Sequence, residues 1–513
     1  MPETPVLIPD DDHVAPEVFP HEHEVTSVRA ALRSPARLRT EVLAGLVVAL
    51  ALIPEAIAFS IIAGVDPRVG LFASFTMAVS IAFLGGRPAM ISAATGAIAL
   101  VIAPVVRDYG MDYFIATVIL GGLIQVVLGV LGVAKLMRFI PRSVMVGFVN
   151  ALAILIFLSQ VPHLIGVPWV VYPLVAAGIL VMVFLPKVTK VVPAPLVAIV
   201  GLTIVTVGFA VAVPTVGDEG ALPDSLPSLF IPNVPLNLET LSIIAPFALA
   251  MALVGLMESL MTAKLVDDVT DTHSHKTREA WGQGTANIIT GFFGGMGGCA
   301  MIGQTMINVK ASGARTRIST FLAGVFLLIL VVGLGDIVAI IPMAALVAVM
   351  IMVSVGTMDW HSISPSTLRR MPKSETMVMA ATVAVVVVTH NLAIGVIVGV
   401  IVAMIMFARR VAHFTRVVDV AHPDADTRVY AVVGELFFAS SNDLIYQFDY
   451  VGDPTNIVID LSQSHIWDAS TVATLDAITT KYHSKGKNVT IVGLNEASNE
   501  RHERLAGHLT GAH

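Results

Sequence analysis

The chain has 513 residues, of which 56% are hydrophobic and 13% are charged, and its mean hydropathy is +0.83. Soluble domains are about 45–50% apolar and about 25% charged, so this composition excludes an ordinary soluble protein and indicates that most of the chain lies in a lipid bilayer. The net charge of −7 gives no basic surplus for binding nucleic acid. The single cysteine, Cys299, excludes an internal disulfide and a cysteine-based zinc cluster.

Residues 1–37 predict an acidic cytoplasmic tail and not a signal peptide, because the first apolar run begins only near Glu41. We expect no metal site among the histidines of this tail. Residues 38–416 predict a membrane transport domain with fourteen apolar segments. We place these segments at 41–63, 69–86, 90–106, 113–134, 143–160, 169–186, 192–214, 240–266, 279–294, 299–309, 317–335, 338–355, 375–389 and 392–408.

The distribution of basic residues predicts the orientation in the inner membrane. With the N-terminus inside, 22 of the 30 Lys and Arg residues lie in or beside cytoplasmic segments of the membrane domain, and only Arg68 and Arg107 lie outside. The longest outside loop, 215–239, contains no Lys or Arg. The positive-inside rule therefore places both termini in the cytoplasm. Cytoplasmic examples are Arg29, Lys135, Arg138, Lys190 and Arg369.

The apolar segments repeat at an offset of about 203 residues. Glu55 corresponds to Glu258, and the small-residue stretch 92–100 corresponds to 295–303. Because each half has seven spans, an odd number, the second half must enter the membrane from the opposite side. The sequence therefore predicts an α-helical polytopic membrane protein of 14 spans, arranged as 7+7 inverted repeats.

Two carboxylates stand inside predicted spans, Glu55 and Glu258. An ionised carboxylate at the membrane centre costs at least about 2.5 kcal/mol unless it is protonated, paired or hydrated. Each glutamate is therefore a candidate site for a coupling proton or cation. The alternative is a permanently protonated, packed side chain, or one that reaches water at a span end.

Two stretches rich in small residues, 90–98 and 295–305, are each followed by a short apolar run. This pattern is typical of a broken helix, whose free N–H groups and positive dipole end bind an anion at the midplane. The alternative is close helix packing through small residues. The residues that we assign to anion binding are Thr95, Gly96, Ala97, Gly298, Cys299, Ala300 and Met301.

After Arg416 the sequence changes character and predicts a small cytoplasmic α/β domain, residues 417–513. Its predicted strands are 427–436, 456–461 and 488–494. Its predicted helices are 470–483 and 496–508.

Several motifs together resemble the SulP anion transporters, in which a membrane domain carries a C-terminal STAS domain. The C-terminal DLSQSHIWDAST at 460–471 is similar to the strand–loop–helix of STAS domains, in which Ser470 would start the helix. The membrane motifs are IPEAIAFSIIAGVDPRVGLFAS at 53–74, IPRSVMVGFVNALAI at 140–154, MESLMTAKLVDD at 257–268, GQGTANIITGFFGGMGG at 282–298, NVKASGARTR at 308–317 and IPMAALVAVMI at 341–351.

The resemblance implies a core and a gate domain, with the substrate between the broken third and tenth spans. It also implies a homodimer, an elevator-like motion, and uptake of sulfate, bicarbonate or a dicarboxylate. The chain departs from many relatives in two places. Glu55 stands where they have Gln, and Gln304 stands near the place of a basic residue. These departures favour cation-coupled symport over anion exchange.

The leading hypothesis is a proton-coupled symporter of a small anion, with the proton carried by Glu55, Glu258 or both. The close variant is sodium coupling, with Na⁺ bound by Glu258, Ser259 and Thr262. Rival hypotheses are an anion exchanger or channel, a nucleobase–proton symporter and a membrane-anchored regulator. The sequence contains no nucleotide-binding glycine motif, metal-ligand spacing or nucleophile elbow, so we expect no enzyme, no ATP-driven pump and no cofactor.

Overall fold

The computed structural model describes residues 26–132, 140–188, 193–223, 225–412, 415–424, 426–441 and 443–507. The chain divides into two compact units, Met1–Gly399 and Val400–His513. The predicted tail up to residue 25 lies outside the described residues. The same is true of three predicted cytoplasmic residues, Lys135, Arg138 and Lys190.

The membrane unit is mainly helical, and its last helix continues beyond Gly399. The helices of its first half are α1 (Val28–Arg33), α2 (Pro35–Ala63), α3 (Pro67–Leu84), α4 (Gly96–Tyr109), α5 (Met111–Val130), α6 (Arg142–Gln160), α7 (Val171–Val188) and α8 (Ala194–Gly208). Those of the second half are α9 (Leu238–Thr270), α10 (Lys276–Phe292), α11 (Ile302–Met306), α12 (Arg317–Gly333), α13 (Gly335–Ala339), α14 (Met343–Thr357), α15 (Pro365–Arg370), α16 (Lys373–Thr389) and α17 (Leu392–Ala412).

Helices occur at each of the fourteen predicted segments, and the predicted helical membrane fold is confirmed. Within the described ranges, seven helices are long and apolar enough to cross a bilayer, and three more are apolar but shorter. The tenth predicted segment is the short helix α11 followed by a π-helical turn, Ile307–Ala311. The number of membrane crossings therefore remains a prediction.

The membrane helices pack in two groups. Helices α2 to α5 pack with α9, α10 and α12, while α6, α7 and α8 pack with α14 and α16. Buried apolar side chains such as Leu52, Ile98 and Met251 fill the first group. This grouping resembles the core and gate arrangement that the sequence resemblance implies.

Two short strands from the two halves meet inside the first group. Strand β1 (Ser92–Ala93) pairs antiparallel with β2 (Cys299–Ala300), with Ser92 opposite Ala300. These strands are 207 residues apart, so the predicted alignment of 92–100 with 295–303 is wrong by four residues. The reason is that the second half has four more residues between its glutamate and its strand. A helix follows each strand, α4 after β1 and α11 after β2.

The C-terminal unit contains a four-stranded sheet in the order β3-β4-β5-β6, and the predicted α/β domain is confirmed. The strand β3 pairs antiparallel with β4, whereas β4, β5 and β6 run parallel. The strands are β3 (Arg416–Asp424), β4 (Thr427–Leu436), β5 (Asn456–Ile466) and β6 (Asn488–Val492). The helices are α18 (Phe438–Ser441), α19 (Ala469–His483) and α20 (Glu496–Leu505).

The start of α19 differs from the expectation that Ser470 begins this helix. The first helical residue is Ala469, and the N-cap is Asp468, whose side chain accepts a hydrogen bond from the N–H of Thr471 at 3.0 Å. An aspartate in this position satisfies a free N–H group of the first turn. Ser470 is exposed in that turn.

Candidate functional site

Both membrane glutamates contact the segment formed by β2 and α11. The carboxyl group of Glu55, on α2, forms a side-chain hydrogen bond with Gln304 in α11. Glu258, on α9, accepts a hydrogen bond from the Sγ of Cys299 at 2.9 Å. The two side chains are 9% and 8% exposed. The sequence repeat predicts equivalent places for these acids, and the structure brings both to one segment of the second half.

Neither glutamate has a basic partner among the described residues. Glu55 directly follows Pro54, which interrupts the hydrogen bonding of α2 at this level. A buried carboxylate without a cation is favoured in its neutral form, or with an ion that enters from outside. The site can therefore take up a proton or a cation.

The first turn of α4 presents free N–H groups. Its N-cap, Thr95, makes no side-chain capping bond, and the first hydrogen bond of the helix runs from the N–H of Ala99 to the Thr95 carbonyl at 2.9 Å. Within the described chain, the N–H groups of the first three helical residues accordingly have no acceptor. They are Gly96, Ala97 and Ile98. Such a helix start attracts negative charge.

The first turn of α11 has the same property. Its N-cap, Met301, makes no side-chain capping bond, and the first helical hydrogen bond runs from Thr305 to the Met301 carbonyl at 3.1 Å. The N–H groups of Ile302, Gly303 and Gln304 have no acceptor in the part of the chain that the structure describes. Two half-helix starts, one from each repeat, thus lie next to the paired strands.

Three of the predicted anion-binding residues use their N–H groups within the protein. The N–H of Gly298 donates to Asn287 at 2.8 Å, that of Ala300 to Ser259 at 3.1 Å, and that of Met301 to the Ile91 carbonyl at 2.9 Å. In the second half, the N–H groups that are free to bind an anion therefore belong to residues 302–304 and not to the predicted residues 298–301. Residue patterns carry no sign of this shift, because it depends on the partners that each N–H meets.

The open space at the site lies at Gly303. A Cβ added there would meet no heavy atom within 4 Å. A Cβ on Gly96 would instead lie 2.8 Å from the ring of Phe59. Ala300 packs in a small buried cluster with Met90 and Ala263. Of the glycines at the two helix starts, Gly303 is therefore the one at which a ligand has room.

Cys299 joins the two halves of the site. Its Sγ lies 3.1 Å from the hydroxyl of Thr95 and also donates to Glu258. The two hydroxyls of the predicted sodium site lie on the same helix as Glu258. Ser259 accepts the N–H of Ala300, and Thr262 donates to the Glu258 carbonyl at 2.8 Å. Their oxygens keep lone pairs that can bind a cation.

The sequence reasoning missed two buried amides beside β2, Gln125 and Asn287. Both are 0% exposed, and Asn287 donates to the Oε1 of Gln125 at 2.8 Å. The available signal was the presence of uncharged polar residues within apolar spans, since such groups must find a partner inside the protein.

The chain matches known protein families over most of its length. Residues 38–173 and 168–382 match the Sulfate permease family, and residues 418–507 match the STAS domain. The Bacillus subtilis (strain 168) protein YbaR, named as a sulfate transporter, is 52% identical over 470 residues, which cover 91% of this chain and 97% of that protein. The bicarbonate transporter BicA of Picosynechococcus is 25% identical over 529 residues, covering 91% of both chains.

The structure of murine Slc26a9, an anion transporter, matches with a TM-score of 0.79. The identity is 15%, and the match covers 97% of this chain and 92% of that one. At this identity the likeness concerns the fold alone.

Proposed function

Because this chain belongs to the sulfate permease family, we propose that it is a secondary active transporter that carries a small anion together with protons across the cell membrane. The observation that carries the proposal is the meeting of two buried carboxylates, Glu55 and Glu258, at one segment, β2–α11. That segment also begins a helix with free N–H groups. A proton site and an anion site therefore adjoin each other.

The substrate class follows from the donors and from the relatives. Free backbone N–H groups bind an anion without a basic side chain. Relatives carry the names of sulfate and bicarbonate transporters. We take sulfate, bicarbonate or a dicarboxylate as the substrate. The open space at Gly303 supports binding at the start of α11.

Charge repulsion explains how the proton and the anion are coupled. An ionised carboxylate beside the half-helix starts opposes an anion, so protonation of Glu55 or Glu258 favours anion binding. By linkage, the bound anion favours protonation to the same degree. Loading one proton for each negative charge of the anion leaves the net charge of the site unchanged, so that the loaded site can move across the membrane as the empty one does. We assign the main proton site to Glu55, which stands where many relatives have an amide.

Sodium coupling is the second candidate. The hydroxyls of Ser259 and Thr262 lie one and four residues beyond Glu258 on α9, and together the three supply the oxygen ligands that a hard cation prefers. Exchange or channel-like flux would instead show no dependence on either cation gradient. We further propose a homodimer with both termini in the cytoplasm.

The decisive experiment is uptake into proteoliposomes. Sulfate, bicarbonate and fumarate are supplied separately, each with and without an inward proton gradient and an inward sodium gradient. Proton symport predicts accumulation that follows the proton gradient and is accompanied by acidification inside. Accumulation that follows only the sodium gradient would show that the coupling ion is Na⁺ and not the proton. Absence of accumulation with either gradient would refute symport.

A further inference from the structure

One face of α10 carries a row of buried polar side chains at Glu279, Gln283, Asn287 and Thr290. All four are 0% exposed. Their spacing of four, four and three residues places them on one side of a helix. Buried polar groups in a membrane helix need partners within the protein. The hydrogen bonds of these four side chains therefore show which segments are fixed to α10.

The first two members hold the segment before α4. The Oε2 of Glu279 accepts the N–H groups of Gly86 and Arg87 at 2.7 and 3.0 Å. The Nε2 of Gln283 donates to the hydroxyl of Ser92, in β1, at 2.6 Å. The loop that leads to the first half-helix is thereby tied to α10.

The third member holds the strand before α11. Asn287 accepts the N–H of Gly298 at 2.8 Å and donates to its carbonyl at 3.0 Å, so that it pairs with both backbone polar groups of one residue. Gln125 on α5 fixes the orientation of this amide. The helices approach closely enough for this contact because Gly122 faces Gly284, where a Cβ would lie 2.7 Å from the opposite carbonyl oxygen.

We propose that this row, above all Asn287, is the positioning element of the anion site, a role that rests on the proposed function. Gly298 immediately precedes Cys299, whose Sγ contacts both Glu258 and Thr95. A clamp on Gly298 therefore sets the distance between a coupling carboxylate and the two half-helix starts. Because β1 and β2 are held by the same helix, both starts keep one relative position.

The chain supplies its own probe for this clamp. Cys299 is the only cysteine, is 0% exposed and adjoins the clamped residue. Its alkylation by N-ethylmaleimide requires the β2 segment to open. We compare Asn287→Leu with Asn150→Leu in the full-length protein, using intact mass to follow alkylation. Asn150 is a matched control, since it is 3% exposed and bonds Ser362 and Asp359 away from β2.

In Asn287→Leu we expect alkylation of Cys299 to become about tenfold faster, because two buried hydrogen bonds no longer oppose local opening. In the control it should stay within about twofold of the wild-type rate. The KM for the transported anion should rise in Asn287→Leu and not in the control, with similar thermal unfolding of both. An unchanged alkylation rate in folded Asn287→Leu would overturn the clamp.

The variant Gln125→Met tests the same clamp more mildly, in case Asn287→Leu does not fold. It removes the acceptor that orients Asn287 and a long hydrogen bond from Gln125 to the Ala252 carbonyl at 3.4 Å, and it leaves both bonds between Asn287 and Gly298 in place. We therefore expect a smaller but measurable increase in alkylation. If Asn287→Leu does not fold and the alkylation rate of Cys299 in Gln125→Met equals that of the wild type, the proposal is also refuted. If alkylation rises as expected while the wild-type protein transports no anion, the clamp stands and the proposed function fails.

Discussion

At the scale of single residues, Glu55 and Glu258 differ in their partners. The partner of Glu55 is an amide, and that of Glu258 is a thiol that also touches Thr95. Replacing Glu55 therefore leaves the contacts between the two half-helices intact. Replacing Glu258 changes the acceptor of the Cys299 thiol, which also touches Thr95. The two acids should consequently have separable roles.

The variant Glu55→Gln should bind the anion but no longer concentrate it in response to a proton gradient. Glutamine imitates the protonated acid and can still bond Gln304, while it cannot release a proton. Downhill exchange should remain, whereas Glu258→Gln should impair all transport. The measurement is anion uptake with internal pH followed by a dye, and Glu239→Gln, at the start of α9, is the control. Proton-driven accumulation at the wild-type level in Glu55→Gln would make this residue structural.

The variant Gly303→Leu should abolish transport without unfolding the protein. The added side chain enters the open space at Gly303, in the first turn of α11, and leucine is a better helix former than glycine. Gly201→Leu on α8 is the matched control, because a Cβ there also meets nothing within 4 Å. Radiolabelled uptake and size-exclusion profiles separate blockage from misfolding. Normal uptake by Gly303→Leu would show that the anion binds elsewhere.

The sequence predicts which residue types form the site but not which of their groups are free. The two acids and the small-residue stretches stand out against apolar spans. The clearance at Gly303 and the occupied N–H of Ala300 depend on segments far away in the chain. For this reason bulky substitutions at Gly96 and Ala300 would test packing, whereas one at Gly303 tests the anion site.

At the scale of elements, two of the basic residues on which the predicted orientation rests also bind the end of a helix. Arg278 donates to the carbonyls of Phe83 and Leu84, and Arg317 donates to those of Ala82 and Gly85. These carbonyls form the C-terminal end of α3, where cations are favourable. The charge pattern predicts such anchors, but only the packing of α10 and α12 on α3 shows which helix end they cap.

In the C-terminal domain, Asp453 ties β4, the start of β5 and α19 together. Its carboxylate has no exposed area, lies 2.7 Å from Arg428 and accepts the hydroxyls of Tyr430 and Tyr482. Burial and this carboxylate raise the pKa of Tyr430 and of Tyr482, so both hydroxyls stay protonated donors at neutral pH.

The variant Asp453→Asn should destabilise this domain by about 2 kcal/mol, because it weakens the charge-assisted hydrogen bonds that the buried carboxylate accepts from Arg428, Tyr430 and Tyr482. Hydrogen–deuterium exchange of 427–466 in the full-length protein measures the effect as faster exchange. The control is Asp449→Asn, at an exposed turn residue. Exchange rates equal to those of the control would mean that Asp419, the other partner of Arg428, suffices.

The sequence predicts three of the four strands of this domain and misses β3. The sequence of this strand, RVVDVAHPD, contains aspartates and a proline, which are depleted in strands. It pairs only with β4, at the edge of the sheet, where such residues are tolerated. The residue pattern of β3 therefore does not identify it as a strand, whereas the apolar pattern of β6, at the opposite edge, does.

At the scale of the whole molecule, composition alone predicts the class, because 56% hydrophobic residues require a bilayer. The repeat predicts two related halves, and the pairing of β1 with β2 is where they meet. The number of crossings is harder to predict, since α11 and its neighbours are too short to span a membrane as continuous helices. Helices in membrane proteins are broken where they line a binding site. The number of membrane crossings is therefore hardest to predict at the functional site.

The orientation of the molecule gives the last prediction. The distribution of basic residues predicts that the loop 215–239 lies outside and the C-terminal domain inside. In a Cys299→Ser background, a cysteine at Glu219 should therefore react in intact cells with a membrane-impermeant maleimide. A cysteine at Asp449 should react only after the cells are opened.

Both test positions are exposed, so a difference in labelling reports the side of the membrane and not burial. A cysteine at Arg369, also exposed, is the internal control, because it should behave like the one at Asp449. Protection of 369 and 449 together, with labelling at 219, requires an odd number of crossings between 219 and 369 and an even number between 369 and 449. Labelling of 219 and 449 from outside would contradict the fourteen-span arrangement, because seven predicted spans, an odd number, lie between these two positions.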